Sequence, residues 1–445
     1  MASLRDLPKV DALASDEKLS NFHKSIRIKA ARRAIDNMRE ALLAGADVDI
    51  SQAVNDAFEI AKALSGPSLK RAINLTGVVL HTGLGRARLP KPVVETMSEI
   101  LACHCLVELD QETGKRGSRQ EHVKGMLKEL TGAEDALVVN NCASSVLLAL
   151  MAHCSGKEVV LSRGEMIEIG GSFRMPDIVK QSGCILREVG CTNKTHLRDY
   201  EEAIGENTGA ILHCHQSNYK MVGFVLRQTL RDVAELGRKR SVMVIEDIGA
   251  GCLLDTVQFG LPKEETLQDA VASGADLVLS SGDKLLGGPQ CGIILGKESA
   301  VAKVKKHPLA RALRVDKLTM CALEHTLRLY TENRIDEIPV WRYISASPDS
   351  IKSKAEAMAE AVGSCACVKQ GFSEIGGGSL PGSTLPTWMV GISSGSTEDI
   401  LKKLRQSEPA LIGRAEDGAV WLDPRTVDDD EMPDILRVLR SLKLG

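Results

Sequence analysis

Apolar residues along this chain follow two spacings, and the change from one to the other divides it. In the first stretch Ile28, Ala31, Ile35, Met38 and Leu42 recur at three- and four-residue intervals, which lines one face of an α-helix. Lys29, Arg32, Arg33 and Arg39 lie off that face, a pattern that by itself is most often a solvated helix surface. Gly45 and the Gly66-Pro67 pair punctuate the segment. The spacing predicts a separate helical domain over residues 1–70.

Beyond it, short apolar runs at 136–139, 159–161, 185–189, 210–214, 242–246, 277–279 and 291–295 alternate with helix-length stretches. That alternation predicts an α/β domain over 71–330, with a mostly parallel sheet and helices on both faces. A smaller α+β portion, 331–445, is expected to carry strands at 387–392 and 418–422 and helices at 397–405 and 431–442. No internal repeat or low-complexity tract interrupts the pattern.

A chain of 445 residues is long enough for two or three domains. Its net charge of −3 excludes a broadly basic nucleic-acid binder, so RNA binding would need a local patch. The 12 cysteines are scattered and form no Cys-x-x-Cys pair. Cys103-His104-Cys105 and His213-Cys214-His215 are spaced too tightly for structural zinc. No metal is expected, and free thiols suit a cytosolic enzyme. No signal peptide opens the chain and no apolar run is long enough for a bilayer. A soluble, cytoplasmic protein is the expectation.

The chemistry gathers around one lysine. Lys284 follows the apolar run Leu277-Val278-Leu279 and precedes Gly287-Gly288. Lysine is seldom buried, and burial frees its amine to form a Schiff base with an aldehyde. The glycines would let backbone approach a bulky group. One strand–helix–strand unit earlier, the run Val242-Met243-Val244-Ile245-Glu246 leads to Asp247 and a glycine-containing turn. A carboxylate there can pair with the ring nitrogen of pyridoxal phosphate, which acts as an electron sink only while that nitrogen keeps its proton. Both residues would stand at the carboxyl ends of strands, where open α/β sheets bind ligands.

Between the run ending at Val139 and an apolar helix, Asn140-Asn141-Cys142-Ala143-Ser144-Ser145 offers backbone N–H groups and hydroxyls for a phosphate. Plain helix capping would use the same residues. Ser281 could add a hydroxyl, Asn218 could hydrogen-bond the cofactor's phenolic oxygen, and His215 could stack on its ring. Arg86, after Thr82-Gly83-Leu84-Gly85, and Arg311 with Arg314 three residues on suggest an anionic substrate.

These residues occur in longer stretches with a family likeness. Ile73-Asn74-Leu75-Thr76-Gly77, Ser281-Gly282-Asp283-Lys284 and Asp423-Pro424-Arg425-Thr426-Val427 belong to a series that also includes 7–11, 112–119, 162–174, 192–200, 314–319 and 376–382. In these the sequence resembles the bacterial L-seryl-tRNA selenium transferases, or selenocysteine synthases, nearly end to end. Departures fall at Gly83, where the family usually has Asn, and at 103–110.

The resemblance implies the aspartate-aminotransferase fold (fold type I) for the large domain and pyridoxal 5'-phosphate as cofactor. It implies Lys284 as the Schiff-base lysine, Asp247 as the ring-nitrogen partner and Asp283 as a catalytic helper. Arg86, Arg311 and Arg314 would hold selenophosphate, and the N-terminal helices would bind tRNA. The reaction implied converts seryl-tRNA(Sec) to selenocysteyl-tRNA(Sec) through an aminoacrylyl intermediate on the cofactor. The assembly implied is a homodecamer, a pentamer of dimers. Two alternatives stand beside it: a pyridoxal-phosphate lyase acting on a small amino acid or amino-sugar acid phosphate, and a tRNA-binding homologue without catalysis.

Overall fold

The computed structural model describes residues 3–171 and 173–442. The chain divides into two compact units, Met1–Ala72 and Ile73–Gly445. In the first, the helices Val10–Ala14, Lys24–Leu43 and Ala53–Ser65 close on a core built largely from alanine. Ala30, Ala31 and Ala34 on the long helix, with Ala53, Ala57 and Ala61 on the next, are buried beside Ile35 and Met38. Small side chains let helix axes approach closely, and Phe22 and Phe58 meet edge-on at 5.5 Å. Ile28 and Leu42 are only half-buried, while Lys29, Arg32, Arg33 and Arg39 are exposed.

The second unit is organised by a seven-stranded sheet. Its spatial order is Asp135–Val139, Gly292–Gly296, Leu277–Ser281, Met243–Gly249, Thr208–Cys214, Glu158–Ser162, Ile185–Val189. Gly292–Gly296 runs antiparallel to both neighbours, and the other pairings are parallel. Alternate residues of one strand enter different cores: Leu277 and Leu279 belong to one apolar cluster and Val278 to the other. Burial on both faces explains why these strands read as unbroken apolar runs. The fold is therefore α/β with a mostly parallel sheet.

A second sheet of five strands has the order Arg414–Glu416, Ala419–Leu422, Thr384–Ile392, Ala366–Gly376, Val78–Leu80. Val78–Leu80 lies in the stretch that the sequence pattern grouped with the large sheet. It pairs instead, in parallel, with Ala366–Gly376, Val78 opposite Glu374 and Leu80 opposite Gly376. A strand of three residues carries too little periodicity to reveal its partner.

Beneath the parallel sheet's rim lies a buried charge cluster. Glu246, fully buried, sits opposite His213 in strand register, and the His213 Nδ1 and Glu246 carboxylate are hydrogen-bonded. Glu165 Oε1 stands 3.4 Å from His213 Nε2 and 3.0 Å from Arg227 Nε. Burial alone would push the imidazole down, but Glu165 and Glu246 outweigh it and raise His213 to about 9. A folded value above the unfolded 6.5 stabilises fully below about 6.5, and the benefit is lost as pH rises through about 9. Glu246→Gln strips the carboxylate from the buried His213 imidazolium and is expected to cost about 3–5 kcal/mol in urea unfolding at pH 7. The deficit should narrow above pH 9, where His213 is neutral in the wild type too; an unchanged deficit would contradict this account.

Candidate active site

Asp247 lies within the strand Met243–Gly249, two residues further in than the sequence run suggests. Its neighbours in register are Cys214 on one side and Leu279 on the other. Adjacent strand residues face opposite ways, so Glu246 turns to His213 while Asp247 opens into a cavity of about 260 Å³. Lys284 follows the strand Leu277–Ser281 and lines the same cavity. The two are 7% and 5% exposed. Burial lifts the Asp247 carboxyl to about 6, against the pull of the Lys284 ammonium and a hydrogen bond from Cys142. The Cys142 Sγ stands 3.3 Å from Asp247 Oδ1.

The helix Cys142–Cys154 begins at the cavity wall, with Asn141, Cys142 and Ala143 lining it. Asn141 Oδ1 accepts from the Ser144 N–H at 2.8 Å, and Ser144 Oγ closes the capping box on the Asn141 N–H. Ser144 is thus spent on the cap and does not line the cavity. The N–H groups of the first turn have no partner within the helix and form a ready anion site. Ser281 also lines the cavity, as do His215 and Ser217.

Arg86 is the arginine of this cavity. Its Nη1 donates to Asp283 Oδ2 at 2.8 Å, and Asp283 is itself buried. Arg86 has φ +60°, a left-handed conformation costly for a side chain bearing Cβ. Arg311 and Arg314 are exposed and do not line the cavity. Arg314 Nη1 instead donates to Glu108 Oε1 at 3.0 Å, on a carboxylate that also holds Arg116 and Arg119. Hydrogen bonds from Arg116 and Arg119 pull Glu108 down to about 2.

Asn218 is likewise outside the cavity, its Nδ2 donating to the Glu168 carbonyl at 2.8 Å. Ser217, one residue earlier, is the neighbour that faces it. The glycines beside the lysine also differ from expectation. A Cβ on Gly287 would strike Ile338 Cγ2 at 2.4 Å, so that glycine serves packing. The close neighbours of Lys284 are Gly249, whose Cβ would lie 3.6 Å from Nζ, and Gly378, at 2.6 Å. Gly378 is 94 positions away in the chain (378 − 284), so no local motif links it to the lysine.

A buried lysine with Gly249 and Gly378 close beside it, a buried acid and a helix N-terminus fit an aldehyde cofactor with a basic ring nitrogen and a phosphate. Among the described residues no cluster of three or more His, Cys, Asp or Glu is disposed to hold a metal ion.

Comparison with known proteins first defines the class. The solved structure of a D-glucosaminate-6-phosphate ammonia-lyase superposes with a TM-score of 0.61, covering 86% of this chain and 97% of its own, at 24% identity. That likeness shows a shared fold. The family model described as L-seryl-tRNA selenium transferase matches residues 72–428. The L-seryl-tRNA(Sec) selenium transferase of Carboxydothermus hydrogenoformans is 43% identical, over 99% of this chain and 98% of its own. That of Aquifex aeolicus is 42% identical, over 99% and 98%. The chain belongs to the L-seryl-tRNA selenium transferase family.

Gly378 gives a sharp test of the lysine's setting. Its φ of +85° disfavours any side chain, and a methyl would meet Lys284 Cε at 2.8 Å. Gly378→Ala is expected to lower turnover by about 10²-fold, since displaced catalytic groups lose rate steeply. Turnover close to wild type would show that the loop is free to move away.

Proposed function

We propose that this protein is an L-seryl-tRNA(Sec) selenium transferase that uses pyridoxal 5'-phosphate. The observation that carries the reading is the buried pair Lys284 and Asp247 on one sheet rim, in a chain whose relatives at about 43% identity bear that name. The cofactor, when bound, supplies an electron sink for charge developing at the serine α-carbon.

The protein's own residues do the rest. Lys284 would hold the cofactor's aldehyde and would be placed to move the α-proton of serine. Asp247 keeps the proton on the ring nitrogen, and its preference for a proton at the bare site turns into preference for that cation. The N–H groups at Cys142 and Ala143, with Ser281, line the cavity and would receive the phosphate. Asn218 would reach the phenolic oxygen only after releasing the Glu168 carbonyl.

The serine hydroxyl leaves as water and selenium from selenophosphate takes its place at the β-carbon. Water then releases the donor's phosphate, so serine oxygen in effect exchanges for selenium. Arg86, fixed by Asp283, would orient the donor through directed hydrogen bonds where water is scarce. Arg311 and Arg314 would attract it from the exposed rim. The N-terminal helices, with Lys29, Arg32, Arg33 and Arg39 exposed, bind the tRNA. The protein works in the cytoplasm as a homo-oligomer, a decamer built as a pentamer of dimers. No helix among the described residues is long and apolar enough to cross a membrane.

Single-turnover conversion of serine-charged selenocysteine tRNA, with and without selenophosphate, tests this directly. Lys284→Ala is expected to lose at least about 10²–10⁴-fold. A truncation starting at Ala72 should keep the bound-cofactor absorbance and lose tRNA affinity. The logarithm of that affinity in the full chain should fall linearly with log salt. Full turnover by Lys284→Ala, or by the truncation, would defeat the corresponding half of the reading.

A further inference from the structure

Cys142 has a place in the cavity that phosphate binding does not account for. Its backbone is the first residue of the helix Cys142–Cys154, but its side chain reaches Asp247, with Sγ 3.3 Å from Oδ1. That contact crosses from the helix to the strand Met243–Gly249 and joins two elements that both line the cavity.

The thiol is held firmly. The Asn141–Ser144 capping box fixes the helix start, and Ser145 Oγ donates to the Cys142 carbonyl at 2.6 Å. Burial, and then the nearby Asp247 charge, push the Cys142 thiol well above its usual range. The sulfur therefore keeps its hydrogen, and a thiol can donate where a thiolate cannot.

We propose that Cys142 is a positioning residue for Asp247, donating its thiol hydrogen to one carboxylate oxygen so that the other is presented to the cofactor's ring nitrogen. The proposal rests on the cofactor reading above. Without such a partner the carboxylate would be free to turn toward Lys284, the cation that most favours its charged form. Glu246, turned to the other face of the same strand, opposes ionisation of Asp247, and His215 beyond the neighbouring strand favours it; Arg86 and Asp283, paired with each other, line the same cavity. Cys142 is the group that acts on Asp247 through a directed hydrogen bond from the opposite wall.

The test compares full-length wild type with Cys142→Ala, Cys142→Ser and Asp247→Asn, reading pyridoxal phosphate affinity by absorbance titration across pH, without tRNA. Cys142→Ala should weaken binding about fivefold, the worth of one hydrogen bond. Binding should fail on the acid side as Asp247 takes up its proton near pH 6, and this limb should move to higher pH in Cys142→Ala. Cys142→Ser restores a donor of smaller bulk, so it should recover both affinity and limb to within about twofold.

Equal affinity and an unshifted limb in Cys142→Ala would overturn the proposal. So would an equal defect in Cys142→Ser and Cys142→Ala, which would mark sulfur packing as the cause. Should Asp247→Asn bind the cofactor as wild type does, the premise about Asp247 falls, and the proposal with it. Loss of selenium transfer with these binding results intact would count against the tRNA reading and leave the role of Cys142 standing.

Discussion

Asp247 and Lys284 leave adjacent parallel strands of a sheet covered on both faces, and each surrenders water on the way. Desolvating either ion costs several kcal/mol, which only close opposite charge and hydrogen bonds offset. The sheet's register sets where the two stand, placing Leu279 opposite Asp247 and carrying the chain through Ser281 to Lys284. A slip of one residue in the Met243–Gly249 strand would turn Asp247 into the core and bring Glu246 to the cavity. The apolar runs that build both cores are therefore also what aims the acid.

The same alternation separates two electrostatic problems. Glu246 and Asp247 are neighbours in sequence, and two carboxylates that close would ordinarily compete for one proton. Facing opposite sides, each has its own company. Glu246 shares His213, Glu165 and Arg227 in a set whose charges balance. Asp247 has Lys284 and a thiol, and burial still holds it near 6, so its demand for a cation is only partly met. The first set is balanced within the core; the second leaves a buried carboxyl at the cavity with its charge only partly compensated.

Much of this was legible in the sequence because strand runs and strand ends are local. The apolar runs at 277–279 and 242–246 marked the Lys284 and Asp247 strands, and their order put both residues on one rim. What local pattern could not carry was contact between distant segments. Gly287 resembled a cofactor-facing glycine, yet it packs on Ile338, while Gly378 arrives from the second sheet's loop to touch Lys284. Asn218 lies one residue from the cavity wall, because where a loop turns decides which side chain lines it; Ser217 does, while Asn218 bonds the Glu168 carbonyl. Val78–Leu80 joined the C-terminal sheet through a pairing nearly 300 residues apart (374 − 78 = 296), invisible to any window.

The arginines show how one residue type answers two different needs. Arg86 faces a single acid, Asp283, at 2.8 Å inside the cavity, and the pair is neutral. What the pairing fixes is direction: a planar guanidinium held by a buried carboxylate keeps one orientation at the cavity wall. On the rim, Glu108 gathers Arg116, Arg119 and Arg314, one negative charge against three positive. The carboxylate keeps the three planes from scattering under mutual repulsion but leaves them a net charge of +2 (3 − 1). Arg119 also donates to the Val315 carbonyl, and the Asn140 N–H bonds the Leu313 carbonyl, so the cluster is tied to the loop that opens the cofactor helix. The Arg86–Asp283 pair inside the cavity is thus neutral and directional, whereas the Glu108 cluster outside it is net positive and tethered.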